Sequence, residues 1–230
     1  MSSQVQALLM IRGGGPYVFV NKTNSASGSA TCPALPLTTG NAIFVTANWF
    51  RSAPGSLGSC DAINDTAGNI YTALPSATNT DRSGCRIFYC LNANGNGSNV
   101  VTGTFSGGAI GTMINTVQMS GGYRIFQNSV NVSPAGTTQN PISSGLFNIQ
   151  YATGTIISVA SCTVNDANNC FWSTNVVGDA NIIPITVAIA YSGYAAYNNY
   201  FNFGGGGGID KVIFMDRQPD WHAMANAIFI

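Results

Sequence analysis

The sequence predicts an all-β protein, an antiparallel β-sandwich with little helix. Three observations point there. Apolar residues alternate with period two along most of the chain, turn residues interrupt them at roughly 8–12-residue intervals, and the charged residues that solvate helices are scarce.

The elements follow in order. Ile43 to Trp49 places apolar residues at its odd positions, and Cys85–Leu91 and Val100–Phe105 read as further short strands. Ile110–Met119, Tyr123–Val132 and Thr155–Val164 continue the pattern. The most regular alternation is Ile183–Tyr191, with Pro184 marking a strand start or an edge. Ile209–Met215 is the last strand by this criterion. Asp65-Thr66-Ala67-Gly68-Asn69 and Asn94-Gly95-Asn96-Gly97 read as hairpin turns, because Gly and Asn tolerate positive φ. The five glycines from Gly204 to Gly208 read as a turn; they lack the Lys of a phosphate-binding loop and open no helix. The one helical candidate is Pro219–Phe229, where alanines follow a proline, and a final strand competes with it there.

Charged residues make up 7% of the 230, against roughly 25% in an ordinary soluble domain. All eight acids are Asp, and the formal net charge is zero. A neutral chain offers no basic field, so no nucleic acid and no anionic membrane is expected as a partner. Low charge also removes the repulsion that keeps monomers apart, which favours self-association. No linker or internal repeat stands out, so residues 1–230 are read as a single sandwich domain. Segments 1–40 and 216–230 are expected to pack in assembly contacts.

Six cysteines, Cys32, Cys60, Cys85, Cys90, Cys162 and Cys170, occur without a Cys-x-x-Cys pair or neighbouring histidines, which favours disulfides or buried thiols over zinc. Cys85 and Cys90 lie on one expected strand, facing opposite sides roughly 16 Å apart, beyond disulfide reach. Cys162 and Cys170 flank a polar loop, Thr163–Asn169, and a disulfide between them across a hairpin is expected. The start, Met1–Arg12, carries no basic leader and only a short apolar run, unlike a secretory signal. Disulfides without a signal fit a virion protein, made in cytoplasm and released by lysis into an oxidising medium.

The order of an apolar strand ending at Trp49, then Asp65-Thr66-Ala67-Gly68-Asn69-Ile70-Tyr71-Thr72, Arg86-Ile87-Phe88-Tyr89, and Asn99-Val100-Val101-Thr102-Gly103-Thr104-Phe105-Ser106 resembles a family. It is a jelly-roll-like β-sandwich module found in bacterial surface proteins and bacteriophage structural proteins. The resemblance covers roughly residues 40 to 106. It implies a jelly-roll fold and a structural setting, and it carries no catalytic motif.

The candidate chemistry is thin. The single histidine, His222, allows no His-Glu-x-x-His site, and no Gly-x-Ser-x-Gly elbow is present. Asp61 and Asp65 are ordinary turn residues by position, although a calcium loop from Asp61, Asn64, Asp65 and Asn69 has the required oxygen ligands without the regular spacing. Neither an enzymatic activity nor a cofactor is expected. The aromatics Tyr191, Tyr194, Tyr197, Tyr200, Phe201 and Phe203 are the candidates for binding or interface contacts, stacking on a surface glycan or anchoring a partner. The expected function is a non-enzymatic virion component (spike, collar, fibre or capsid-decoration subunit). Its partners would be its own copies, a trimer being the leading expectation, and other virion proteins. The alternative is a carbohydrate-binding module of a secreted or cell-surface protein.

Overall fold

Alternating apolar residues drive strand formation, and the chain adopts an all-β fold in which every described strand pair is antiparallel. A computed structural model describes residues 17–25, 29–51, 58–78, 83–121, 126–132, 142–143, 147–149, 153–162, 171–175, 182–183, 189–191, 194–204, 207–214 and 222–229, and no helix occurs among them.

In the first half the strands are β1 (Tyr17–Asn24), β2 (Leu35–Leu37), β3 (Ala42–Arg51), β4 (Ser59–Asp65), β5 (Thr72–Ala73), β6 (Ala77–Thr78), β7 (Ser83–Cys90), β8 (Asn96–Asn99), β9 (Val101–Ser106) and β10 (Ala109–Gly121). In the second half they are β11 (Phe126–Val132), β12 (Ile142–Ser143), β13 (Phe147–Ile149), β14 (Thr153–Cys162), β15 (Phe171–Asn175), β16 (Ile182–Ile183), β17 (Ile189–Tyr191), β18 (Tyr194–Gly204), β19 (Gly207–Phe214) and β20 (His222–Phe229).

The pairing order of the first ten strands recurs in the second ten. One large sheet runs β1-β10-β3-β7-β5, with β6 also on β7; the other runs β11-β20-β14-β18-β16, with β17 also on β18. In the first half, β2 pairs β8 and β4 pairs β9, while a bridge from Thr31 to Thr102 carries the β2 pairing onward to β9. In the second, β12 and β13 succeed one another along β19, which also pairs β15. Even an irregularity repeats: the register shifts between Phe19 and Asn21 in β1, and between Phe126 and Asn128 in β11. No repeat is visible in the sequence, because strand order is set by non-local pairing and the side chains at matching positions differ.

Two cores stack on the first large sheet. On one face Ala42 and Phe44 of β3, Cys85 and Ile87 of β7, and Val117 and Met119 of β10 pack against Ile157 and Val159 of β14 and Ala223, Ala225, Ala227 and Phe229 of β20. On the other face Ile43, Val45, Ala47 and Trp49 pack with Cys32, Leu37, Cys60, Ile63 and Val101. Both faces of β3 are therefore buried, which explains the consecutive apolar residues Ala42 to Val45 at its start. The first cluster draws on both halves, so they share a core. Hydrogen bonds pin the same junction: Asn48 Nδ2 donates to Ala160 O (2.9 Å), and Ser161 Oγ to Gly84 O (3.2 Å). Gln118 locks β1 to β10 and the loop at Thr38. Its Oε1 accepts from Thr38 N and Asn41 Nδ2, and its Nε2 donates to Asn21 Oδ1 and Pro36 O.

Three expectations change. The Asp65–Asn69 turn is not a hairpin, because β4 pairs β9 while the next strand, β5, pairs β7; the turn carries the chain between sheets. The Asn94–Gly97 turn does the same, since β7 pairs β3 and β8 pairs β2. The C-terminal helical candidate is strand β20, in the middle of its sheet between β11 and β14. Its alanines fall at every second position and let the two large sheets approach, a period-two role that outweighs alanine's helix propensity. Residues 223–229 are buried inside the fold. The segment expected as one strand over Ile183–Tyr191 is described only at Ile183 in β16 and Ile189–Tyr191 in β17; residues 184–188, Pro184 among them, lie outside the described residues.

Candidate functional site

The motif Asp65-Thr66-Ala67-Gly68-Asn69-Ile70-Tyr71-Thr72 builds the best-defined polar site among the described residues. Asp65 ends β4, the chain turns through Thr66 and Ala67, and Gly68 follows at φ 71°, a left-handed conformation that glycine adopts without strain. The Asp65 carboxylate then gathers the loop. Oδ1 accepts from Asn69 N (2.9 Å), and Oδ2 accepts from Asn69 Nδ2 (2.8 Å), Tyr71 OH (2.7 Å) and Asn99 Nδ2 (3.2 Å). Burial, then the bond to Asp65, pushes the Tyr71 hydroxyl far above its usual range, so it remains a donor.

The neighbouring loop is stitched to the same hub. Asn69 Oδ1 accepts from Asn94 N (2.6 Å), and Asn99 Oδ1 accepts from Ala67 N (3.0 Å). Val100 N donates to Thr66 Oγ1 (3.0 Å) and Gly95 N to Thr39 Oγ1 (3.1 Å). Between the fastened residues Asn69 and Tyr71 stands Ile70, 89% exposed; among the described residues the other exposed large hydrophobic is Val20, at 41%. Ile70 lines a shallow depression of about 480 Å³ together with Asn69, Thr72, Tyr89, Cys90, Leu91 and Asn94, among others. Its lining carries no charged residue. Tyr89 packs edge-on to Phe229, with ring centroids 5.2 Å apart, so its back is held by the inter-sheet core.

The calcium loop considered for Asp61, Asn64, Asp65 and Asn69 does not assemble. Asp65 is surrounded by amide and phenol donors. Asp61 turns to the hydroxyls of Ser106 and Ser59, which hold its carboxyl below the usual range. Among the described residues no group of three or more His, Cys, Asp or Glu converges.

The cysteines separate into two cases. Cys32, Cys60 and Cys85 are buried free thiols and Cys90 is a half-buried one. Burial raises the Cys32 thiol to about 11 and the Cys60 thiol to about 12, and shifts Cys85 and Cys90 upward as well. The sequence leaves these four for bonds to other strands or to other subunits; within the chain none of the four is bonded. Cys85 and Cys90 do face opposite sides of β7: Cys85 belongs to the inter-sheet core and Cys90 packs against the other cluster. Cys162 ends β14, and Cys170 lies outside the described residues, as does the disulfide expected between them. The hairpin invoked for that bond does not form. Both edges of β14 are occupied, by β18 and β20, and β15 pairs β19 instead.

The aromatic group falls on β17 and β18. Tyr191 pairs Tyr194, and Tyr197, Tyr200, Phe201 and Phe203 lie opposite Ala160, Ile157, Ile156 and Gly154 of β14. Backbone parity sets Tyr197, Phe201 and Phe203 at positions alternating with Tyr194 and Tyr200 along β18. His222 opens β20, opposite Cys162. The sequence reading missed Ile70 and the tie made by Arg86, whose Nε donates to Leu74 O (2.6 Å) and Nη1 to Cys60 O (3.0 Å). A large apolar residue flanked by turn-forming Asn69 and Gly68 was the available signal for Ile70. Comparison of the chain with protein-family models, with curated proteins and with solved structures gave no match.

Proposed function

We propose that the chain is a non-enzymatic structural component of a bacteriophage virion, a spike, collar, fibre or capsid-decoration subunit that acts through stable self-association. Strand order carries this reading. Counting β5–β6 as one interrupted strand and β8–β9 as another, the first half orders eight strands 1-8-3-6 in one sheet and 2-7-4 in the other. This order supports a jelly-roll reading, a fold of viral capsid and lectin domains, with the departure that the fifth strand pairs with the sixth. The second half repeats it. Zero net charge supports close association of identical copies. In this reading the protein reaches the extracellular medium within the particle.

The test is the mass of the native particle by light scattering. A stable homo-oligomer is expected, a trimer first among them; a monomer at micromolar concentration with no partner added would overturn the reading.

A second reading, a carbohydrate-binding module of a secreted or cell-surface protein, is favoured by the uncharged, amide-rimmed depression beside Tyr89. It requires a neutral oligosaccharide to bind, and Asn94→Ala to weaken that binding without changing stability.

A further inference from the structure

We infer that Asn96 is a modification site: its side chain condenses with the backbone nitrogen of Gly97, losing ammonia, and water then opens the ring to leave aspartate or isoaspartate in β8. Local geometry singles this residue out.

Asn-Gly occurs twice in the chain, at Asn94-Gly95 and Asn96-Gly97, so the two pairs form an internal comparison. The reaction needs the asparagine amide carbon close to the next backbone nitrogen, and it needs that nitrogen unengaged. At Asn96 both conditions hold. Its Oδ1 accepts from Ser98 N (2.9 Å) in an Asx turn, which folds the side chain over the intervening Gly97 nitrogen. The same N–H faces the oxygen on which negative charge develops during attack, and stabilises it as an oxyanion-hole donor does. Gly97 is passed over by the β2–β8 register, which pairs Leu37 with Asn96 and Leu35 with Asn99. Pro36, between those two leucines, has its carbonyl taken by Asn21 and Gln118. Both Gly97 and Ser98 are exposed, so water and hydroxide reach the site.

Asn94 is placed differently. Gly95 N donates to Thr39 Oγ1 (3.1 Å), and a Cβ at Gly95 would fall 2.5 Å from that oxygen, so this nitrogen is engaged and its backbone wedged in place. Asn94 N is itself held by Asn69 Oδ1 (2.6 Å). The fold thus requires glycine at 95. It does not at 97: nothing lies within 4 Å of a Cβ built there, and its φ is not in the left-handed region. A glycine that no turn or contact demands weakens a strand, and beside Asn96 its effect is to leave the attacking nitrogen unshielded.

In the reaction the Gly97 N–H gives up its proton and bonds to Asn96 Cγ, the Cγ–Nδ2 bond breaks, and Nδ2 leaves as ammonia. Water then cleaves one of the two imide bonds. The aspartate product loses the donor to Thr66 Oγ1 (3.5 Å) and puts a negative charge on a strand that carries none. Isoaspartate lengthens the backbone inside β8, against a register held by two pairs.

Peptide mapping by mass spectrometry, on the full chain kept at pH 8 in native buffer and in urea, tests this. In urea the two Asn-Gly pairs should convert at similar rates. In the native chain Asn96 should convert faster than Asn94, on the order of tenfold, a modest difference in barrier. Gly97→Ala, whose Cβ meets open space, should slow Asn96 by a similar factor with unchanged circular dichroism. Equal native rates, faster conversion at Asn94, or an Asn96 that stays intact while both react in urea would each overturn the site. So would a Gly97→Ala chain that reacts as fast as the wild type. If that variant fails to fold, the native comparison of Asn96 with Asn94 decides alone.

Discussion

The indole of Trp49 lies over the α-carbon of Gly84, its cross-strand partner in the β3–β7 ladder. A Cβ at Gly84 would come within 2.7 Å of Nε1 and closer still to Cζ2 and Cε2. Trp49 and Gly84 are both fully buried, and the ring also meets Phe105 edge-on at 6.3 Å. Gly84→Ala therefore forces a tightly packed ring to move. We expect a loss of about 1–3 kcal/mol, the usual cost of overpacking, measured as a lower urea midpoint.

Removal of the Asp65 carboxylate strands four donors on three residues at once. Asp65→Ala leaves Asn69, Tyr71 and Asn99 without their acceptor. A loss of about 2–3 kcal/mol is expected, in the range for hydrogen bonds to a charged group. Amide exchange at Asn69 should accelerate first, because its N–H donates to the same carboxylate. Unchanged exchange there would sink the hub as the organiser of the loop.

The second half contains the opposite case. Ser158 Oγ and both side-chain polar atoms of Asn226 are buried without a hydrogen-bond partner, and the two residues face each other across β14 and β20. The matching pair in the first half is Ala47 with Ile114, the sixth residue of ten-residue β3 and its partner on β10. The double variant Ser158→Ala, Asn226→Ile copies that apolar pair. It should raise stability by about 1–3 kcal/mol, since burying unsatisfied polar groups carries a penalty of that size. Lower stability in the double variant would show that these groups have partners in solution.

The buried thiols make stability depend on alkaline pH. Each stays protonated in the folded chain up to a raised value, about 11 for Cys32 and about 12 for Cys60, while in the unfolded chain it ionises near 9. Above pH 9 the unfolded state binds fewer protons, so stability falls as pH rises, by up to about 1.4 kcal/mol per unit per thiol. The contribution is complete below pH 9 and disappears as pH passes through the folded values. Unfolding midpoints between pH 8 and 11 should decline, and less steeply in Cys32→Ala and Cys60→Ala.

Thiol accessibility provides a separate check. Among the four described cysteines Cys90 is half-buried and the others are buried. A disulfide reagent added to native protein at pH 8 should label Cys90 well before Cys32, Cys60 or Cys85. Equal labelling rates would mean that the first-half core opens readily.

Much of this architecture was legible in the chain itself. Period-two alternation around Ile43–Trp49, Cys85–Leu91 and Ile110–Met119 predicted strands that exist, because a strand's two faces are a property of neighbouring residues. The absence of Glu and the low charge pointed away from helix for the same local reason. What tertiary structure alone decided is non-local. Asp65–Asn69 and Asn94–Gly97 look like hairpin turns, yet their strands pair elsewhere, since a turn sets local direction and leaves the choice of ladder to distant edges. The alanines of Ala223–Ala227 have helix propensity and became a central strand, because β11 and β14 offered two edges and the facing sheet required small side chains. The repeated strand order stayed hidden because backbone pairing can recur while Ala47 and Ile114 are replaced by Ser158 and Asn226. Ile70 stayed hidden because exposure is decided by which surfaces the rest of the fold leaves uncovered.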